Sequence, residues 1–350
     1  MGAVISSETL PAPKKRSSWP RRLGWTVAIV ASILFIALNV VFYLEARAMT
    51  HYAPVDARGT RMSELKGWKW VRTILAGPTV RRQINHQTPA DMGLTFETRR
   101  FPGAHGIELE TWRVPGHRKG APVVLMFPGY GASKDTLLRA AKEFAAMGCE
   151  LWLVDPHGIG GSAGSETSIG YHEAEDVAAA FRQAREISLG RPLMLYGPSM
   201  GAVAILGAVH RGLVKPDALV LECPFDRFTH VIGVRVVRLG LPRFPFAEGI
   251  AFWAGVQQGF NPFTHNPAEY ARSVQCPVLL LQGERDETVG VRYVREVSRS
   301  LAPGSCEFIP DGGHSFLVEY SADVWQRSVR SFVREHFPVL ASSARPVKTL

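Results

Sequence analysis

The chain has 350 residues, 46% of them hydrophobic, and a net charge of +9. That length could hold two average domains, but it also suits one α/β unit carrying appendages. Of the charge, +4 falls ahead of residue 23, and the rest is spread without the basic stripe and interleaved aromatics of a nucleic-acid surface, so nucleic acid is not expected as a partner.

A basic tail over residues 1–22 opens the chain, with Lys14, Lys15, Arg16, Arg21 and Arg22 against Glu8. From Leu23 to Leu44 the sequence carries no charge. As a helix it would span about 33 Å, the thickness of a bilayer core. Trp19 and Trp25 before or near its start, and Phe42 and Tyr43 at its end, suit the interfacial belts. The basic tail predicts a cytoplasmic N-terminus and an extracytoplasmic remainder, periplasmic if the source is bacterial. Ala46-Arg47-Ala48 has the form of a signal cleavage site, so secretion after cleavage near Ala48 is the alternative, although the apolar run is longer than a signal peptide needs.

Residues 45–94 mix basic residues, Pro and Gly around an apolar stretch near Trp68, Trp70 and Val71, and read as a linker with one short packed helix. From about residue 95, short β-rich runs alternate with longer helical ones. That alternation predicts an α/β domain over 95–338 whose mostly parallel sheet is covered by helices on both faces. Strands are expected near 96–101, 107–114, 123–127, 151–154, 193–196, 218–222, 278–282 and 305–309. Helices are expected over 133–147 with Ser133 as N-cap, then 172–188, 200–211, 289–300 and 321–336. The interval of about 224–274 is longer than one crossover requires and rich in Phe, which predicts a small helical cap over a pocket. Residues 339–350 read as a flexible tail. Cys149, Cys223, Cys276 and Cys306 lack the paired spacings of a zinc or redox motif, and are expected as core thiols, with a disulfide left open.

Gly197-Pro198-Ser199-Met200-Gly201 follows an apolar strand and opens a helix, the context in which a sharp turn lifts a serine hydroxyl above a sheet edge. A serine needs a base, and the base needs an orienting acid. His314, in the loop after the last strand, fits the base. Asp286 is the chosen acid, three residues past the strand-end Gly283; Glu222, ending the preceding strand, is the alternative. The amide after the nucleophile and one from the loop after the third strand would hold an oxyanion, which points to Met200 and Tyr130.

The segments PGYGASK (128–134), DPHGIGGS (155–162), GPSMGA (197–202), CPVLLLQGERDETV (276–289) and GGHSFL (312–317) together resemble the α/β-hydrolase family. The resemblance is strongest to its branch of serine aminopeptidases, lysophospholipase-like esterases and thioesterases. It implies Ser199, Asp286 and His314 as a catalytic triad, with the Tyr130 and Met200 amides as oxyanion hole. Two departures are visible: Pro128-Gly129 stands where relatives commonly have His-Gly, and Pro156-His157 where they often carry an arginine. The expected activity is hydrolysis of an ester, thioester or amide through an acyl-enzyme, carboxylesterase- or lipase-like, on a small or lipid-like acyl substrate, without metal or cofactor. The alternatives are a serine peptidase or amidase, and a non-catalytic homologue that binds a ligand or partner.

Overall fold

Short apolar runs bounded by Pro, Gly and polar residues become the strands of one sheet. The computed structural model describes residues 19–301, 304–314 and 316–338, so most of the expected basic tail and the expected flexible tail lie outside the described residues. The strands are β1 (Glu97–Pro102), β2 (Glu108–Val114), β3 (Val123–Met126), β4 (Glu150–Val154), β5 (Leu193–Pro198), β6 (Ala218–Glu222), β7 (Val278–Gly283) and β8 (Gly304–Ile309). They lie in the order β1-β2-β4-β3-β5-β6-β7-β8. The β2 strand is antiparallel to both its neighbours, and every other pairing is parallel. Every residue of β3 to β7 is buried, as expected of parallel strands covered on two faces, whereas edge strand β1 buries only Phe101.

The helices are α1 (Trp19–Thr50), α2 (Trp68–Ala76), α3 (Leu138–Ala146), α4 (Glu173–Ile187), α5 (Met200–His210), α6 (Phe228–Arg238), α7 (Arg243–Gln258), α8 (Pro267–Tyr270), α9 (Val291–Ser300), α10 (Leu317–Tyr320) and α11 (Ala322–His336). Phe144 of α3 and Trp325 and Phe332 of α11 join alternate β5 residues Met194 and Tyr196 in one core. Between β6 and β7 the chain forms α6, α7 and α8, and α6 packs on α7. This is the α/β-hydrolase architecture that the sequence predicts.

Residues 1–41 and 42–350 form separate compact units. In the first, Leu23, Val27, Ile33, Phe35 and Val40 of α1 are exposed, and α1 is long and apolar enough to cross a membrane. The helix runs six residues beyond the charge-free stretch, and its last turns, from Phe42 on, belong to the second unit and have partners within it. Phe42 meets Phe246 edge to face at 5.4 Å, Tyr43 meets Trp253 at 5.5 Å, and Gln257 Nε2 donates to the Tyr43 carbonyl at 2.9 Å. Gly249 must lack a side chain, since a Cβ there would come 2.2 Å from the Phe42 ring. Ala46 of the candidate cleavage motif is buried within α1.

The stretch expected as a linker with a short packed helix holds α2 and hydrogen-bonds to the domain. Arg82 donates to the carbonyls of Gly158, Gly160 and Ser162, and Trp70 Nε1 donates to the Leu239 carbonyl at 3.1 Å. Ser133 corrects one expectation. Its hydroxyl donates to Asp135 Oδ1 at 2.6 Å and makes no cap bond, and a 3₁₀ turn over Lys134–Leu137 precedes α3. The Thr136 amide bonds the Ser133 carbonyl at 3.1 Å, so a 3₁₀ turn stands where the first helical turn was expected. None of the four cysteines is in a disulfide, and Cys149 and Cys223 are buried.

Candidate active site

Ser199 lies between the last residue of β5 and the first of α5, at φ 50° and ψ −117°. Few side chains tolerate this backbone, and it is held because the surroundings leave no alternative. A Cβ on Gly197 would come 2.7 Å from the Gly201 carbonyl carbon, and one on Gly201 would come 2.2 Å from the Phe127 oxygen. The pentapeptide's glycines are therefore required by close packing of the turn against β3. The Ser199 amide is tied to the Glu222 carbonyl at 2.7 Å.

The loops after β7 and β8 meet through Gly283, where a Cβ would come 2.1 Å from the Gly313 oxygen. That approach brings Asp286 and His314 together. His314 Nδ1 lies 3.0 Å from Asp286 Oδ2, and Nε2 lies 2.8 Å from Ser199 Oγ. A carboxylate at Nδ1 favours the tautomer protonated there, which leaves Nε2 free to accept the serine proton. Asp286 also accepts from the amides of Thr288 (2.8 Å) and Val289 (3.0 Å) and from Gln282 Nε2 (3.0 Å). Burial opposes its charge, but the His314 bond and charge, with the Val289 and Gln282 bonds, outweigh it and hold the carboxyl below its ordinary range.

Glu222, the alternative acid, faces a different set of partners. It accepts from Tyr196 Oη at 2.7 Å, Trp325 Nε1 at 2.6 Å and the Leu317 amide at 3.3 Å, and burial pushes its pKa up. Its partners are core aromatics and a backbone amide, whereas the imidazole hydrogen-bonds Asp286. Both carboxylates close a strand or follow one closely, so spacing alone could not separate them.

Met200 is the first residue of α5, so its amide has no carbonyl one turn back within the helix. The loop carrying Gly129 and Tyr130 passes over the serine, since a Cβ on Gly129 would sit 3.6 Å from Ser199 Cβ. That loop is pinned from below by Lys134, fully buried, whose Nζ donates to Asp155 at 2.5 Å and to Glu110 at 2.8 Å. Asp155 belongs to the DPHGIGGS segment, and this pinning role was not legible from the motif.

The serine and imidazole open on a cavity of about 620 Å³, lined largely by Met49, Ile74, Phe225, Ile232, Phe246 and Ile250 besides the site itself. Its wall draws on α1, α2, α6 and α7, and the contributions of residues 45–83 escaped sequence reasoning because they lack any periodic signal. Cys223 Sγ, an Asp286 oxygen and a His314 nitrogen lie within 4.8 Å of one another. A metal held there would compete with the Asp286–His314 hydrogen bond. As it stands, the arrangement can remove a proton from Ser199, stabilise the imidazolium and receive an apolar group beside the hydroxyl.

Comparison with known proteins agrees with this fold. The family model "Serine aminopeptidase, S33" matches residues 118–247. The uncharacterized protein YqkD of Bacillus subtilis is 22% identical over 239 residues, covering 67% of this chain and 77% of that one. The lysophosphatidylserine lipase ABHD12 of Rattus norvegicus is 24% identical over 249 residues, covering 65% of this chain, and the chain spans 60% of that lipase's length. Among solved structures, the Pyrococcus furiosus esterase Pf2001 superposes with a TM-score of 0.61 at 17% identity, covering 73% of this chain and 98% of that one. These likenesses, and the sheet that carries them, show the α/β-hydrolase fold and place esterases and lipases among the proteins the chain is similar to.

Proposed function

We propose that Ser199 is the nucleophile of an ester hydrolase that acts on lipid-like acyl substrates, with His314 as general base and Asp286 as its orienting acid. The observation that carries this reading is the hydrogen-bonded series from Ser199 through His314 to Asp286, opening on a long apolar cavity. An acyl chain lies in the cavity while Ser199 Oγ attacks the carbonyl carbon and its proton passes to His314 Nε2. The amides of Met200 and Tyr130 stabilise the oxyanion, each contributing about 2.7–4 kcal/mol in the transition state. The imidazolium protonates the departing alcohol, and water attacking the acyl-enzyme through the same base regenerates the serine.

Residues 95–338 are the catalytic domain in this reading, with 224–274 as its cap. The apolar helix anchors the enzyme with the N-terminus cytoplasmic and the domain on the other side, supported by the basic residues that precede it. The lysophosphatidylserine lipase relative supports a lipid substrate, as does the cavity lining. The test is Ser199→Ala. Turnover of a p-nitrophenyl ester should fall by about 10⁵- to 10⁶-fold, and covalent labelling by a fluorophosphonate should vanish. Undiminished labelling of Ser199→Ala protein would sink the assignment.

A further inference from the structure

On α6, residues Val231, Ile232 and Arg235, followed by Leu239 at the helix C-cap, recur at helical spacing and line the cavity. Arg235 is the charged member of this apolar stripe. Several other ionisable side chains of the lining have partners: His314 bonds Asp286, Arg238 pairs with Glu287 at 3.3 Å, and Asp135 accepts from the His86 amide and the Ser133 hydroxyl. Glu45 shares the cavity and attracts Arg235 at longer range. Among the described residues no carboxylate lies within 4.0 Å of the Arg235 guanidinium.

The guanidinium instead rests on the Tyr130 ring, with Cζ 5.2 Å from the ring centroid. A ring face takes up part of a cation's charge but satisfies none of its N–H donors in the plane of the fork. Tyr130 is itself held, its hydroxyl donating to the Met49 carbonyl at 2.7 Å. The same residue carries the backbone amide proposed for the oxyanion hole. Tyr130 therefore links the two functions, with its ring under the guanidinium and its amide in the loop over Ser199. A half-buried arginine on an apolar wall, with donors left over beyond its bond to the Tyr130 side chain and an aromatic ring beside it, is suited to receive a planar or tetrahedral oxyanion.

Resting on the hydrolase reading above, we infer that Arg235 is a specificity-determining residue that selects acyl esters bearing an anionic group, phosphate or carboxylate, on the alcohol side of the scissile bond. The apolar wall takes the acyl chain and Arg235 takes the charged headgroup.

The experiment compares three oleoyl esters in identical detergent micelles with the full-length protein: 1-oleoylglycerol, its 3-phosphate, and the oleoyl ester of glyceric acid. Oleate release is followed for wild type, Arg235→Gln and Arg235→Lys. Wild type should favour at least one anionic ester over the neutral one by about tenfold or more in kcat/KM, the size of one charge-assisted contact. Which anion is favoured identifies the headgroup chemistry. Arg235→Gln should erase most of that preference through KM, and Arg235→Lys, which keeps the charge without the fork, should fall between. Equal wild-type rates on all three esters, or an Arg235→Gln loss of the same proportion on each, overturns the inference while leaving the hydrolase reading intact. Failure of all three esters together with failure of fluorophosphonate labelling at Ser199 overturns both.

Discussion

The carboxyl edge of the sheet and the wall of the cavity are built by different means. At the edge, short loops are locked by backbone contacts too close for any side chain, at Gly197, Gly201 and Gly283, and by the buried Lys134–Asp155 pair. The wall is assembled from segments far apart in sequence, joined by aromatic edges such as Phe42–Phe246 and Tyr43–Trp253 and by single hydrogen bonds such as Trp70 to Leu239. In the proposed reading, the reacting groups are thus fixed by sheet register, while the surfaces that would choose the substrate sit on pieces that can change without moving them. This division is what the fold offers to evolution of specificity.

The sharpest way to break that comparison is at the two acids. Asp286→Asn should lower ester turnover by about 10⁴-fold, because an amide opposite Nδ1 stabilises the wrong tautomer, with little change in melting temperature. Glu222→Gln should do the reverse. With Oε1 still accepting from Tyr196 and Trp325, its new amide hydrogens would replace Oε2 and confront the Leu317 amide, costing about 1–3 kcal/mol of stability, while turnover falls far less. Thermal melts and p-nitrophenyl ester rates on both variants decide it, and a larger rate loss in Glu222→Gln would reverse the roles assigned here.

A smaller effect tests the wall. Ile250 is buried and lines the cavity, so Ile250→Trp should fill space meant for an acyl chain. Across p-nitrophenyl esters of increasing chain length, the ratio of long-chain to acetyl kcat/KM should drop by about tenfold, the cost of displacing one or two methylenes. A ratio that does not move would place the acyl chain elsewhere.

The sheet was legible because buried parallel strands are continuous apolar runs, and each of the eight appears within a few residues of its expected place. The site was legible in outline, since Ser199, Asp286 and His314 were singled out and the structure brings them within hydrogen-bond reach of one another. What stayed hidden depends on contacts between distant segments. Glu222 and Asp286 differ only in what surrounds their carboxylates. The end of α1 extends past Leu44 because Phe42 and Tyr43 find α7, and residues 51–83 hold to the domain through Arg82 and isolated bridges that leave no period in the sequence. Arg235 reads as one more helix cation until its place in an apolar wall is seen.

The seam between that strap and the domain is where pH should act. Tyr52 donates to the Ser165 carbonyl at 2.7 Å, Thr167 donates to the Thr50 carbonyl at 2.9 Å, and His51 faces Glu166 at 3.3 Å. Behind this loop His157 is buried, its Nδ1 2.6 Å from Asp176 Oδ2 and its Nε2 3.8 Å from Glu173. Burial alone would lower its pKa, but the Asp176 bond and the charges of Glu173, Asp176 and Glu166 outweigh it and carry the group up to about 9. A folded pKa above the unfolded value of about 6.5 means that the ionised ring stabilises the fold fully below that pH, and that the contribution is lost as pH rises through about 9. His157→Gln should therefore melt several degrees below wild type near pH 6, an effect on the order of 1 kcal/mol, and the gap should close towards about pH 10. A gap that is independent of pH would mean that the imidazole is neutral, and that the seam is held by shape and backbone hydrogen bonds, as the carboxyl edge is, instead of by charge.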